Sequence, residues 1–378
     1  MNMTRRTAGF GLLAFGLQGC IGNPMAGPSP AVARDTMPMV ANPGWDAWVA
    51  NFRPRATSSG ISAATFDRAF QGAGYIPGVI ERDRNQTEFS RTLEDYLQIA
   101  AGPKKVAAGR AAYARQQNTL RAVEQRYGVD AKIVAAIWGV ESNFGERRGD
   151  INTVSALSTL AYDGRRGAFF EQQLVAALRI LQNGDTAPAN MVGSWAGAMG
   201  HTQFIPTSYQ SLAVDFNGDG RRDIWSDDPT DALASAANYL AKNGWRRGGP
   251  WGMLARQGSG GTVIQPQPGG PTFRVFHNFN VIKRYNNSTN YAIGVGHLGD
   301  RIVGGPAIDG PFPPDQFGLT KVQRLDLQRR LNAAGFDAGE PDGVIGSGTK
   351  AAIEGYQRRA GLAVTGEPSV ALLRALGG

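Results

Sequence analysis

The chain is poor in the residues that usually announce a chemistry. Of 378 residues, one is cysteine and three are histidine. One cysteine excludes a disulfide within the chain, and no two histidines stand at metal-ligand spacing, which argues against zinc. No basic run exceeds a pair, so the net charge of +8 has no focus of the kind a nucleic-acid motif presents. A solvated surface or an acidic polymer accounts for that charge equally well. The apolar stretch near the N-terminus, Gly9 to Leu17, is too short for a lasting membrane span. What remains is ordinary apolar content, 42%, in a chain long enough for two or three domains and expected to be soluble once processed.

The N-terminus reads as an address. Arg5-Arg6, the apolar stretch and Gln18-Gly19-Cys20 follow the order of a secretory signal: positive start, apolar core, small residue before the cut. The one cysteine falls at its end. This resembles a bacterial lipoprotein signal over residues 1–19, with Cys20 lipidated as the mature N-terminus, although Gln18 is unusual there. The arginine pair also resembles a twin-arginine signal. A lipid on Cys20 would anchor the protein to a membrane surface. Ile21 is not the Asp-type signal for inner-membrane retention, so the expected location is the periplasm of a Gram-negative cell, at the outer membrane. Residues 20–42, rich in Pro, Ala, Gly and Met, read as a flexible tether.

Helical spacing dominates the rest. It appears from Trp45 to about Leu120, including Ile61–Phe70 and the stretch around Phe89, Leu93, Tyr96 and Leu97. It continues through Val154–Leu160, Phe169–Leu181, Ala232–Lys242 and Tyr291–Leu298. Gly244–Gly270 is dense in Gly, Pro and Gln and predicts loop with a short hairpin. Phe273–Phe276 predicts a strand. Residues 303–318 carry four prolines and read as a linker. Residues 319–378 form a compact unit of three helices: one with Leu325, Leu327 and Leu331, one over Thr349–Tyr356, and one over Pro368–Leu376. Pro341-Asp342-Gly343 marks a turn between the first two.

Glu141 closes an almost wholly apolar segment, Ile133 to Val140. Asp130 is placed to cap that helix and Gly145 to stop it. Val134, Ile137, Trp138 and Glu141 share a face, which turns a carboxyl inward. Burial disfavours the charged form, and a carboxyl that stays protonated near neutral pH can serve as a general acid. A glutamate at a helix end that simply reaches solvent is the plain alternative.

Three motifs together decide between these. Ile137-Trp138-Gly139-Val140-Glu141-Ser142-Asn143-Phe144-Gly145 resembles the catalytic-glutamate helix of the lytic murein transglycosylase B family. Gly193-Ser194-Trp195-Ala196-Gly197-Ala198-Met199-Gly200-His201-Thr202-Gln203-Phe204-Ile205-Pro206-Thr207-Ser208 resembles its glycine-rich signature, and Tyr285-Asn286-x-Ser288 is a third match. Leu327-Gln328-x-x-Leu331 with Asp342-Gly343-x-x-Gly346-x-x-Thr349 is similar to the three-helix peptidoglycan-binding module. The resemblance implies a mainly α, lysozyme-like catalytic domain over residues 43–302 with a helical N-terminal part, and a peptidoglycan-binding domain over 319–378. It also implies a carbon–oxygen lyase. The bond between N-acetylmuramic acid and N-acetylglucosamine breaks without water, and the muramyl 6-hydroxyl closes a 1,6-anhydro ring. One carboxyl suffices if the substrate's acetamido group shields the positive centre, whereas most glycosidases need two. Glu141 would act first as acid, then as base.

The same resemblance implies that Ser194, Gln203, Tyr239, Tyr285 and Asn286 line the cleft around the sugar, with Tyr96 beside them. Arg165 and Arg166 would hold acidic groups of the stem peptide. Met199 and Phe204 read as core. Asp215, Asn217, Asp219 and Asp223, with Gly220 and the carbonyl of Arg221, follow the first half of an EF-hand loop. Ser226 replaces the bidentate glutamate, and the family's late aspartate suggests Asp231 as the closing ligand of a structural Ca²⁺. An Asx-rich turn without metal is the alternative. No cofactor is required for the chemistry. The implied partners are glycan strands of peptidoglycan, the membrane through the lipid, and other cell-wall enzymes. Two competing functions stay open: a hydrolytic muramidase, and a non-catalytic murein-binding tether.

Overall fold

The structure, a computed structural model, describes residues 37–84 and 92–377. Cys20, the expected signal over 1–19 and most of the expected tether lie outside the described residues, as does Phe89. No helix among the described residues is long and apolar enough to cross a membrane.

The helices in chain order are α1 (Pro43–Ser58), α2 (Ala63–Phe70), α3 (Pro77–Arg84), α4 (Leu93–Ala101), α5 (Pro103–Arg115), α6 (Gln117–Tyr127), α7 (Ala131–Ser142), α8 (Thr153–Asp163), α9 (Gly167–Asn183), α10 (Pro206–Leu212), α11 (Thr230–Lys242), α12 (His277–Tyr285), α13 (Thr289–Ile302), α14 (Lys321–Ala333), α15 (Ser347–Arg359) and α16 (Val370–Ala375). The strands are β1 (Ile151–Asn152), β2 (Val192–Gly193), β3 (Gly252–Leu254), β4 (Thr262–Ile264) and β5 (Phe273–Val275). The described residues form two compact units, one of 37–84 and 107–248, the other of 92–106 and 249–377. Long-range packing therefore divides the expected domain of 43–302. It also groups the C-terminal module with the second unit.

In the first unit α8 is buried on every side and packs along α9. Asn152 caps α8 by accepting the N–H of Ser155, and Gly164 ends it in the left-handed conformation. Leu157, Leu174 and Leu178 are fully enclosed. Each such side chain contributes about 1.5–3 kcal/mol over its exposed state. Phe52, Phe66 and Phe70 cluster beneath α1 and α2, the last two stacked with ring centroids 4.4 Å apart. Helices α6, α7 and α11 pack together as a second layer.

In the second unit α4 packs on α13, close enough that a Cβ on Gly294 would come 2.6 Å from the ring of Tyr96. The expected strand exists as β5, but as the centre of a three-stranded sheet in the order β3-β5-β4. The two strands of 244–270 thus pair with β5 and not with each other.

The C-terminal module has the expected three helices around Leu319, Leu327, Leu331, Ile353, Leu372 and Leu373. Its motif residues work as a joint. The Oε1 of Gln328 accepts the N–H groups of Asp342 and Gly343, while its amide donates to Asp342, Val344 and Thr349. Arg324, 1% exposed, is a second joint. It reaches Asp95 at 2.7 Å, Glu94 at 3.3 Å and Asp315 at 3.3 Å, and donates to the carbonyls of Gly343 and Leu319. Within the expected linker over 303–318, Asp309 pairs with Arg256, and Asp315 accepts the N–H groups of Phe317 and Leu319.

Candidate functional site

Ile133 to Gly139 are all buried, so α7 is enclosed around its whole circumference rather than along one face. Asp130 stands at the N-cap position, but its side chain makes no cap bond. The helix stops at Ser142, earlier than Gly145, because Asn143 (φ 52°) and Phe144 (φ 58°) turn left-handed. Asparagine tolerates that conformation; phenylalanine does not, at a cost of about 1–3 kcal/mol. The ring of Phe144 is kept there by Trp138, edge to face at 5.7 Å. Glu141, half-buried, lies in the last turn before this bend.

The glycine-rich segment folds back on itself. The N–H of Ser194 donates to Ala198 O at 2.8 Å, and the Oγ of Ser194 accepts the N–H of Ala198 at 3.0 Å. With one lone pair so used, the half-buried hydroxyl keeps its proton to donate. Met199 and Phe204 exchange two backbone bonds and are buried, as core residues should be. Between them Gln203 adopts φ 53°, and its amide donates to Arg148 O at 3.0 Å and Gly200 O at 2.8 Å. Its Oε1 is left as the acceptor.

These bonds seat the glycine-rich segment against the end of α7. Gly149 (φ 86°) permits it: a Cβ there would meet the carbonyl of Gly193 at 2.2 Å and Ser194 N at 2.6 Å. The pairing of β1 with β2 continues the seam. Ser142 Oγ donates to His201 O at 2.6 Å, and Trp138 Nε1 donates to His201 Nδ1 at 3.0 Å. His201 is 3% exposed, and burial depresses its imidazole below the ordinary range, helped by Arg148 and opposed by Ser226 O, Asp227 and Asp223. Histidine scarcity drew attention away from this residue. Its place inside the glycine-rich motif was the available signal.

Of the other expected site residues, Tyr239 is half-buried on α11 with its ring 6.0 Å from Phe204, in the same unit. Tyr96, Tyr285 and Asn286 belong to the second unit; Tyr285 and Asn286 are 2% and 7% exposed at the end of α12. Arg165 and Arg166 have an internal partner. Both pair with the buried carboxylate of Asp83, and Arg166 also lies over Phe170 at 4.9 Å.

The Asp215–Asp231 loop is organised by hydrogen bonds from its own backbone. Asp215 accepts from Gly218 and Gly220, Asn217 from Asp219, and Asp219 from Arg221. Asp231 does close the loop, by accepting the N–H groups of Phe216, Asn217 and Asp223. Burial raises its carboxyl above the usual range against the pull of those three donors. No group of three His, Cys, Asp or Glu among the described residues is gathered as a metal site. Ser226, at the glutamate position, donates to Asp228 O instead. These bonds draw an Asx-rich turn around Asp215, Asn217, Asp219 and Asp231, the residues expected to hold Ca²⁺.

A half-buried carboxyl at the end of α7 and, on the segment seated against that end, a hydroxyl and an amide on strained backbone are groups that suit acid–base chemistry. Residues 44–263 and 256–300 match the model of the transglycosylase SLT domain. The chain belongs to that family. Residues 320–376 match the peptidoglycan binding domain model. Among solved SLT structures, SltB3 from Pseudomonas aeruginosa in complex with NAG-NAM-pentapeptide is 43% identical, with 89% of this chain and all of that chain covered at a TM-score of 0.70. The Escherichia coli lytic transglycosylase Slt35 in complex with calcium is 28% identical, covering 69% of this chain and 93% of that one at 0.59. The membrane-bound lytic murein transglycosylase B of E. coli is 32% identical over 235 residues, 53% of this chain. The chain spans 64% of that relative's length.

Proposed function

We propose that this protein is a lytic transglycosylase of peptidoglycan, with Glu141 as the one catalytic carboxyl and a 1,6-anhydromuramyl end as its product. The observation that supports this most is Glu141 itself: half-buried, at the end of an apolar helix whose exit is bent against the glycine-rich segment. Glu141 first protonates the glycosidic oxygen as the bond to the muramyl C1 breaks. The substrate's acetamido oxygen shields the positive C1, and Ser194 donates its hydroxyl proton near that group. The carboxylate then takes the proton of the muramyl 6-hydroxyl as that oxygen bonds to C1. No water enters the balance. Proton transfer of this kind is worth roughly 10²–10⁴-fold in rate, and a nucleophile already attached to the reacting sugar adds several kcal/mol through proximity.

The family membership, the match of residues 320–376 to a peptidoglycan binding domain, and a relative solved with NAG-NAM-pentapeptide support murein as substrate. The expected lipoprotein signal ending at Cys20 supports a periplasmic location at the outer membrane. Mass spectrometry of digested murein tests the reading: anhydro ends support it, free reducing ends give a muramidase, and intact glycan gives a binding protein. Activity retained in Glu141→Gln would remove the acid from the mechanism.

A further inference from the structure

We propose that His201 is a positioning residue for Glu141, holding the last turn of α7 through Trp138 and Ser142. The inference rests on Glu141 being the acid and extends that reading to what aims it. Trp138 stands three residues before Glu141, and Ser142 directly after. An indole N–H only donates, so the 3.0 Å bond from Trp138 makes Nδ1 of His201 the acceptor. The ring proton therefore sits on Nε2, which meets Ser226 O at 2.7 Å. The carbonyl of the same histidine accepts the Ser142 hydroxyl at 2.6 Å, and that hydroxyl oxygen accepts the N–H of Gly145 at 3.0 Å.

One residue thus grips the turn by both ring and backbone. The ring stands edge to face with Trp138 at 5.8 Å. Gly145 has no side chain where the ring sits; a Cβ there would lie 2.6 Å from Nδ1. The other groups facing the ring are charged: Arg148, with Nη1 3.3 Å from Nε2, and Asp227 and Asp223. Arg148 is itself held by Trp225 O, Ser226 O and Asp227. Beyond Ser142 no helix continues to hold Glu141 in line. A proton donor displaced by 1 Å can lose on the order of 10²-fold in rate.

The test compares His201→Phe, His201→Asn, His201→Gln and Trp138→Phe by kcat, KM and melting temperature on soluble glycan strands. His201→Phe and Trp138→Phe should lower kcat about 10- to 100-fold with KM within about twofold. His201→Asn, whose Oδ1 overlays Nδ1, should recover most of kcat. His201→Gln, which overlays Nε2, should recover melting temperature but not kcat. If His201→Phe does not fold, Trp138→Phe, which keeps an aromatic wedge, decides. Native-like kcat in Trp138→Phe overturns the proposal, as does a loss that follows melting temperature across all four variants. Glu141→Gln run alongside separates the two levels. An active Glu141→Gln sinks the mechanism beneath, whereas an inactive one beside a fully active His201→Phe sinks only the clamp.

Discussion

The loop closed by Asp231 and the seam at the end of α7 both bring acidic side chains to irregular backbone, yet they use them in opposite ways. In the loop Asp215, Asp219, Asp223 and Asp231 each accept backbone N–H groups, and these acids are the scaffold. At the seam the scaffold comes from a histidine, an amide and a glycine, and three non-glycine residues, Asn143, Phe144 and Gln203, sit at positive φ. Strain supported by neighbours is the mark of a site held for a purpose, whereas the loop's acids organise their own backbone first.

That contrast can be broken most severely at Glu141. Glu141→Gln should cost roughly 10²–10⁴-fold in kcat on murein while leaving the melting temperature close to native. A large loss of stability instead would make Glu141 another scaffold acid. Next in size is Asp231→Ala, which strands the N–H groups of Phe216, Asn217 and Asp223 and should destabilise by about 3 kcal/mol in urea unfolding.

Acid should separate the regions by sign. Below the unfolded histidine value of about 6.5, an unfolded chain takes up protons that a buried neutral histidine refuses, so stability falls as pH falls. His297, buried on α13 near Arg301 and Asp300, is pushed down to about 4, which sets a window from about 6.5 to 4 worth roughly 3 kcal/mol. His201 acts in the same direction. Asp231 acts in the other: its raised carboxyl takes a proton earlier in the folded state, and that stability is lost as pH rises. Melting temperature against pH for the native protein, His297→Gln and Asp231→Asn checks both signs; an unchanged slope in His297→Gln would reject the first. The smallest effect is calcium itself. Its effect on the native melting temperature decides the loop: a rise of several degrees on adding millimolar calcium makes it a metal site, and no shift makes it an Asx-rich turn alone.

Much of this was legible locally. The apolar spacing of Ile133–Val140, Val154–Leu160 and Phe169–Leu181 corresponds to α7, α8 and α9, and the three helices of the C-terminal module follow from Leu327, Thr349 and Pro368. What escaped depends on distant partners. Two-residue strands such as β1 and β2 have no periodicity to read and exist because Gly149 and Gly193 lie together. Helix α12 is short, although Phe279, Ile282 and Tyr285 repeat at helical spacing and are buried. Arg165 and Arg166 were expected to meet stem-peptide acids, and their pairing with Asp83, some 80 residues earlier, is not visible in local sequence. His201 could be seen as part of a motif, but its grip on Trp138 belongs to the fold.

Arg324 carries a warning for dissection. Its guanidinium neutralises Glu94 and Asp95 on α4, outside the C-terminal module. Cutting the chain before residue 319 therefore does more than remove a wall-binding attachment: it leaves two neighbouring carboxylates on the stump with their shared cation gone. A truncated enzyme that turns over slowly would be reporting a wounded helix as much as weaker adhesion. Arg324→Gln in the intact chain, measured beside the truncation, tells the two injuries apart.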